Sequence, residues 1–516
     1  MSLFRSAASV SLLTLVSRIT GVVRDMLIAR YFGATIQTDA FYVAFRLPNM
    51  LRRLFAEGAF QQAFVPMVAS VRETEGEERT KGFVDHVFSV LAPAVILVSI
   101  LGVLAAPALV WLIASGIASD PEGFDLATSL TRWMFPYIAF MSLVAMSAAV
   151  LNTYRKFRVP AFTPVLLNLS FIGCSLLLAP RMAEPIYALA AAVILGGCLQ
   201  LGFQIPALKK IGMIPRLGSF RAALRDKAVA SVLKLMVPAL FGVAVAQISI
   251  LINTNIASHL SRGAVTWLHY ADLLMEFPTA LLGVALGTVM LPSLSAAHAA
   301  GDETRYNALL DHGLKLVVLF GIPAAVGLFA CAQGLVAFLF GGRAFTGADV
   351  IQTAYGVIGY SVGLIGLIAL KIIAPAFYAR KDIKTPVKVA ALSLVCVQAI
   401  NLVSVPLFAQ AGLALSVGLG SLVNSGVLLY LLAKRGIYKP LPGWKKHFGC
   451  IFAASFLMLA ALFGLQWHAH WAELADPWAI RAAKVLGMVA AGAAVYGLSL
   501  LALGFRPRNL RPPKDI

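Results

Sequence analysis

The chain has 516 residues, 60% of them hydrophobic and only 13% charged, with a mean hydropathy of +0.85. Soluble domains are roughly 45–50% apolar and about 25% charged, and a soluble fold of this length could not hide the excess. That excludes a soluble enzyme and a disordered chain and leaves an all-α polytopic membrane protein. The net charge of +19, from 42 Lys and Arg against 23 Asp and Glu, would suggest nucleic acid in a soluble protein; here it tests the positive-inside rule.

A helix crosses the hydrocarbon with about 20 apolar residues. In chain order this predicts about fourteen spans, near 8–32, 36–62, 85–114, 127–152, 161–180, 185–207, 231–258, 266–296, 312–340, 350–378, 386–408, 411–433, 448–467 and 482–505. With a cytoplasmic N-terminus, the loops and ends on that side hold thirty Lys and Arg, and the opposite loops hold Arg181, Arg262 and Arg343. The bias predicts an even number of spans with both termini inside, and no nucleic-acid partner. The first span carries Arg18, Arg24 and Asp25 and so is unlike a cleavable signal peptide.

The sequence also repeats. Gly33-Ala34 precedes Pro48 as Gly263-Ala264 precedes Pro278, an offset of 230; Tyr154-Arg155-Lys156 leads to Thr163-Pro164-Val165 as Tyr378-Ala379-Arg380-Lys381 leads to Thr385-Pro386-Val387, an offset of 222. Six spans per copy is an even number, so the copies share orientation. The expected divisions are a six-helix lobe over 1–225, a second over 226–437, and two further spans with a basic tail over 438–516.

Charge at the centre of a span costs at least about 2.5–3.5 kcal/mol, so it generally faces a cavity. It is concentrated in the first two spans, as Arg18, Arg24, Asp25, Asp39, Arg46, Arg52 and Glu57. Ser17, Gly21 and Arg24 form one small and polar helical stripe, with Gly21 thinning the helix for a ligand or a neighbouring span. Guanidinium matches phosphate and carboxylate oxygens, which points to an anionic headgroup, most simply a diphosphate. The alternative is that Arg24 pairs with Asp25 or Asp39 while Arg46, Arg52 and Arg53 snorkel to the interface. In the second copy, Asp272 and Glu276 sit at i, i+4; they could orient arginines, take protons or form ion pairs.

Other features read as structural. Cys174, Cys198, Cys331, Cys396 and Cys450 are scattered singly, without metal spacing. His468-Ala-His470 lies between Trp467 and Trp471, as in an interfacial belt. Asn168-Leu-Ser170 fits a glycosylation sequon but falls inside a span. No P-loop, GxSxG or HExxH occurs, so the sequence predicts neither an enzyme nor a cofactor.

The runs Ser17-Arg-Ile-Thr-Gly-Val-Val-Arg-Asp25, Thr38-Asp-Ala-Phe41, Leu47-Pro-Asn-Met-Leu-Arg-Arg-Leu-Phe-Ala-Glu-Gly-Ala-Phe60, Tyr270-Ala-Asp through Glu276-Phe-Pro278, Gly283-Val-Ala-Leu-Gly-Thr288 and Asp382-Ile-Lys-Thr-Pro-Val387 resemble the MurJ (MviN) lipid II flippases of the multidrug/oligosaccharidyl-lipid/polysaccharide exporter superfamily. The resemblance covers essentially the whole chain. It implies two six-helix lobes plus two C-terminal helices that form a lipid-tail groove, in the bacterial cytoplasmic membrane. It further implies export of lipid II, the undecaprenyl-diphosphate-linked peptidoglycan precursor, by alternating access. Arg18, Arg24 and Arg52 with Ser17 would line a central cationic cavity, supported by Asp25, Asp39, Gly21, Glu57, Asp272 and Glu276. Membrane lipids and the cell-wall synthesis machinery are the further partners implied. One departure is Leu273, where the family typically has arginine: another basic residue compensates, the cavity works with fewer arginines, or transport is impaired. The alternatives are a sister exporter of another lipid-linked oligosaccharide, of O-antigen type, and a non-transporting scaffold for cell-wall enzymes.

Overall fold

The computed structural model describes residues 3–52, 60–466 and 470–505, all helix and connection with no strand among them. Over the described residues the predicted spans fall on helical stretches; residues 53–59 of the second and 467 of the thirteenth lie outside those described. Among the described residues nine stretches are long and apolar enough to cross a membrane, one of which, Lys384–Lys434, holds two predicted spans. All five cysteines are free.

The chain forms two compact units, Met1–Gly263 and Ala264–Ile516. The sequence repeat and the compact units therefore divide the chain differently. The helix 227–258 counts with the second copy by sequence but packs in the first unit, against the long helix that begins at Phe60.

In the first unit α1 spans Leu3–Phe32 and ends where Gly33 takes φ 67°, a left-handed value that suits glycine. Thr35 and Thr38 then form a reciprocal cap that starts α2, Ile36–Leu51. The stretch α3, Phe60–Leu104, is two helices meeting at Gly76, with φ 83°. After α4 (Ala106–Ile113), Asp120 caps α5, Pro121–Met134. The helix α6, Tyr137–Thr153, is stopped by Arg155 in the left-handed region. The unit closes with α7 (Arg158–Gly173), α8 (Tyr187–Lys210), α9 (Phe220–Arg225) and α10 (Lys227–Ser258). Phe64, Phe83, Val84, Met146 and Leu151 are buried in one core cluster beneath these helices.

Asp226 both starts α10, accepting from Ala228 N at 3.0 Å, and ties it to α3. Arg79 Nη1 and Nη2 donate to its two oxygens at 2.9 and 2.8 Å, and His86 Nδ1 lies 2.7 Å from Oδ2. Burial pushes this carboxyl up, but the bonds from Arg79, His86 and Ala228 N outweigh it and hold its pKa far below the carboxylate range.

The second unit comprises α11 (Ala264–Pro278), a π-helical turn over Thr279–Val284, α12 (Ala285–Ala299), α13 (Glu303–Ala330), α14 (Ala332–Leu339), α15 (Gly347–Ala379), α16 (Lys384–Lys434), α17 (Trp444–Gln466) and α18 (Trp478–Ala502). Its axis is α15, which packs on α11, α12, α13 and α16. Small residues set that approach: a Cβ on Gly363 would lie 2.1 Å from Gly418 Cα, and one on Gly359 2.7 Å from Ala411 O. In lipid, where apolar area alone does not hold helices together, such small-residue seams supply the packing. The stretch α16 is itself two helices that meet at Ala409, with φ 48°.

A single carboxylate fastens α17. Asp311 on α13 accepts from Tyr438 Oη at 2.9 Å, Leu441 N at 3.1 Å and Trp444 Nε1 at 2.7 Å, and pairs with Lys315 Nζ at 2.8 Å. Asp311→Ala leaves three donors and an ammonium without their acceptor, and is expected to destabilise the fold by about 3 kcal/mol. Thermal unfolding in detergent checks this: Asp311→Asn should melt between the wild type and the alanine variant, and equal melting of all three refutes the anchor.

Asp382, in the turn before α16, accepts from Thr385 N at 3.0 Å, Thr385 Oγ1 at 2.6 Å and Arg435 Nη1 at 2.7 Å. Partial burial pushes its pKa up, and these bonds prevail, holding it at about 2. A depressed pKa stabilises fully above the unfolded value of about 4 and is lost as pH falls through the folded one. The melting-temperature gap between the wild type and Asp382→Asn should therefore be wide at neutral pH and narrow near pH 3; a constant gap refutes it.

Candidate functional site

One ion pair of the first unit, on α1, meets a polar side chain of α7. Arg24 Nε and Nη2 grip the two oxygens of Asp25 at 2.8 and 2.9 Å, and Nη1 donates to Asn168 Oδ1 at 3.1 Å. Asn168 Nδ2 returns to α1, donating to Ser17 O at 2.9 Å and Thr20 Oγ1 at 3.0 Å. The Phe171 ring, one turn along α7, lies 5.6 Å from the Arg24 guanidinium carbon. This adjacent-residue ion pair is unlike a surface salt bridge, since the side chains of Arg24 and Asp25 are only 23% and 10% exposed. Fork-to-fork pairing holds the planar cation in one orientation, and desolvation strengthens each of its hydrogen bonds.

The Ser17–Gly21–Arg24 stripe thus faces a neighbouring helix. Of its members Ser17 contributes its carbonyl and Arg24 its side chain. A Cβ on Gly21 would meet Asn168 Nδ2 at an ordinary 3.5 Å, so the helix is not pinched there. Arg18 is exposed, and no side chain among the described residues pairs with it.

The remaining predicted residues have separate surroundings. Arg52 donates through Nε and Nη2 to Asn49 Oδ1, at 3.1 and 2.8 Å, three residues back along the chain. Asp39 is buried, and its Oδ2 accepts from Gly263 N at 2.6 Å. One acidic group of the first Gly-Ala repeat thereby clasps the backbone of the second Gly-Ala turn, where Gly263 has φ 93°. Asp272 is half-buried and Glu276 exposed, one turn apart on α11, with Leu273 half-buried between them. Glu57, Arg53, Trp467 and His468 lie outside the described residues, while His470 Nδ1 lies 3.4 Å from Glu473. Among the described residues no group of three or more His, Cys, Asp and Glu could hold a metal ion.

Asn168 was readable from sequence only as a sequon inside a span. Its polarity at the centre of an apolar run was the usable signal, because an amide there must find partners on another helix. Asn168→Ala should free Arg24 from α7 and lower export activity several-fold with unchanged membrane insertion; Asn168→Gln, which keeps the amide, should lose less. Equal activity of wild type and Asn168→Ala would remove Asn168 from the site.

The family model described as "Lipid II flippase MurJ" matches residues 28–478. A Burkholderia cenocepacia protein named "Lipid II flippase MurJ" is 50% identical over 495 residues, covering 96% of this chain and 95% of that protein. A Haemophilus influenzae protein named "Probable lipid II flippase MurJ" is 38% identical over 516 residues, 96% and 99% of the two chains. Among solved structures, "Lipid II flippase MurJ, inward closed conformation" superposes with a TM-score of 0.78 at 26% identity, over 95% of this chain and 97% of that one. An inward-facing multidrug MATE transporter of the MOP superfamily superposes at 0.66 with 13% identity, over 84% of this chain and 98% of that one, a likeness of fold alone. The coverage is end to end and the matched region includes Asp39, Asn168 and the α11 motif: the chain belongs to the MurJ lipid II flippase family.

Proposed function

We propose that this protein translocates lipid II, the undecaprenyl-diphosphate-linked peptidoglycan precursor, from the inner to the outer leaflet of the bacterial cytoplasmic membrane. The observation that carries the reading from the structure is the oriented Arg24 guanidinium, held on α1, the first span expected from the sequence, by Asp25 and Asn168. Family membership supplies the substrate class, and the chemistry of the site agrees with it. A diphosphate is matched well by fixed, planar cationic donors, and arginine provides them at any physiological pH.

Translocation by alternating access exposes the cationic site to one side of the membrane and then the other. Facing the cytoplasm, Arg24 takes the diphosphate with the exposed Arg18, and Arg52 serves near the inner end of α2. Asp25 and Asn168 are positioning residues: they fix the guanidinium plane, and Asp25 lowers the cost of its charge in the empty site. The isoprenoid stays in lipid beside α17 and α18, whose outer surfaces carry exposed Phe452, Phe456, Leu486 and Leu498. Both termini are cytoplasmic in this reading, following the basic loops. A site holding net positive charge is also sensitive to membrane potential, by about 2.3 kcal/mol per elementary charge per 100 mV. The protein needs no catalytic group, since no bond of the substrate changes.

Headgroup translocation in reconstituted vesicles tests the reading. Wild type should move lipid II to the opposite leaflet, and Arg24→Ala and Arg18→Ala should lose at least about tenfold of that rate, the loss of one charge-assisted contact. Wild-type vesicles that leave lipid II in place, but move a different lipid-linked glycan, would reassign the substrate.

A further inference from the structure

The connection between α8 and α10 carries features that transport does not use. Residues 209–227 hold six Lys and Arg and one acidic residue, Asp226. On α9 and just before it, the large apolar side chains of Leu217, Phe220 and Leu224 are 69%, 47% and 45% exposed. On α9 itself Phe220 and Leu224, four residues apart, share one face, while Arg221 and Arg225, also four apart, share the next.

This exposure is not that of a loose loop. Arg216 N donates to Asp85 Oδ1 at 2.7 Å and Gly218 N to Ser89 Oγ at 2.8 Å, which ties the chain to α3. Met213 and Ala223 are buried. A backbone held in this way cannot turn Leu217, Phe220 and Leu224 inward, so the segment presents them to whatever lies beyond it. The second unit shows that the fold does not require such a face. The matching connection, 435–443 between α16 and α17, has Ile437 and Leu441 half-buried and Tyr438 buried, and its Arg435 is paired with Asp382.

The acidic groups near the connection are already taken. Asp85 pairs with Lys81, Glu75 with Arg79, and Asp226 with Arg79 and His86. Arg221, Arg225 and Lys227 form no ion pair among the described residues. Arg225 and Lys227 flank Asp226 and line, with Arg79, His86 and Glu75, a cavity of about 460 Å³, within the roughly 300–1,000 Å³ of ligand sites. Since Asp226 engages Arg79 and His86, Arg225 and Lys227 are the cations left to face a ligand there. In the proposed orientation the connection faces the cytoplasm, where the membrane surface is negative. Apolar side chains beside unpaired cations on one anchored segment are what an interfacial helix presents to an anionic leaflet.

We propose that residues 211–227 form a binding site for an anionic phospholipid, with Leu217, Phe220 and Leu224 among its acyl chains and Arg225 and Lys227 holding its phosphate in the cavity beside Asp226. The lipid sits where Asp226 joins α3 to α10, and so ties that junction to the composition of the membrane. The site shares no residue with the one around Arg24 and does not depend on which lipid is transported.

Equilibrium binding of short-chain phosphatidylglycerol and phosphatidylcholine to the purified full-length protein in neutral detergent tests it. Wild type should bind phosphatidylglycerol at least about tenfold more tightly, the effect of two cations near one phosphate. Raising NaCl from about 0.1 to about 1 M, which shortens the screening length from about 10 to about 3 Å, should remove most of that preference. Arg225→Gln with Lys227→Gln should abolish it at unchanged phosphatidylcholine affinity and melting temperature, whereas the exchange Arg225→Lys with Lys227→Arg should keep it. Phe220→Ser with Leu224→Ser should weaken both lipids alike. Glycerol 3-phosphate, which has the phosphate without the chains, should bind at least about a hundredfold more weakly than phosphatidylglycerol. Four results overturn the proposal: a wild type that does not distinguish the two lipids, a preference that survives in Arg225→Gln with Lys227→Gln, an equal loss when Lys434→Gln with Lys439→Gln is made instead, or glycerol 3-phosphate binding as tightly as the lipid.

Discussion

An ionised guanidinium inside a membrane-crossing helix must be met by other groups of the protein, by water in a cavity or by an anion, because the hydrocarbon itself offers no partner. That constraint shapes the first unit. Arg24 takes the carboxylate next to it in sequence and an amide from α7; the amide's other end returns to the carbonyl and hydroxyl of α1. Each polar group present answers another. The contact between α1 and α7 is consequently specified by hydrogen bonds at one depth, whereas apolar side chains would allow the helices to slide. A neutral replacement at Arg24 would leave Asp25 and Asn168 with unmet bonds, so the site and the helix packing depend on one network.

The duplication shows which features the fold requires and which were added. Gly33 and Gly263 both take positive φ, and Arg155 and Lys381 both stop their helices in the left-handed region. These are backbone features, and they survive in both copies because a turn or a helix end has few geometric solutions. The charges differ. The first copy places cations on α1 and α2, and the second keeps acidic Asp272 and Glu276 with a single lysine on α15. Asp39 couples the two patterns: a carboxylate of the first copy accepts from the backbone of the second copy's Gly-Ala turn at Gly263. Since polar residues in hydrocarbon are costly, charges that differ between otherwise matching copies mark where transport, and not architecture, selected the residue.

Much of this was legible in the sequence. Spans follow from apolar length, and the repeat follows from turn residues whose spacing the backbone fixes. The sequence offered Arg24 both Asp25 and Asp39, and one-dimensional spacing could show neither the fork on Asp25 nor the bond to Asp39 from Gly263, 224 residues away. Asn168 was hidden for a similar reason, since its partners lie about 150 residues earlier on another helix. The division at Gly263 was also not legible. Repeat boundaries record ancestry, whereas compact units record packing, and α10 is held to α3 by Arg79, His86 and Asp226, none of which lies in a repeated motif.

The polar anchors outside the spans complete the same logic. Asp226 joins α10 to α3, Asp382 joins the start of α16 to Arg435 at its end, and Asp311 gathers Tyr438, Leu441, Trp444 and Lys315 where α17 begins. Each is a carboxylate fixed by several donors near a helix start, and for Asp226 and Asp382 those donors hold the pKa far enough down to keep the group ionised at any physiological pH. Within the hydrocarbon α15 and α16 meet through small residues such as Gly359, Gly363 and Gly418, which permit close approach, and Ser421 Oγ donates to Gly363 O at 2.8 Å across that seam. A protein that must change conformation is well served by this separation. Seams of small residues carry few directional bonds, and the ionic anchors near helix ends set which helices must shift together. The network around Arg24 differs from the single hydroxyl and amide bonds elsewhere in the spans by being ionic, and an ionic cluster within the apolar region is where a site for a charged headgroup has to be built.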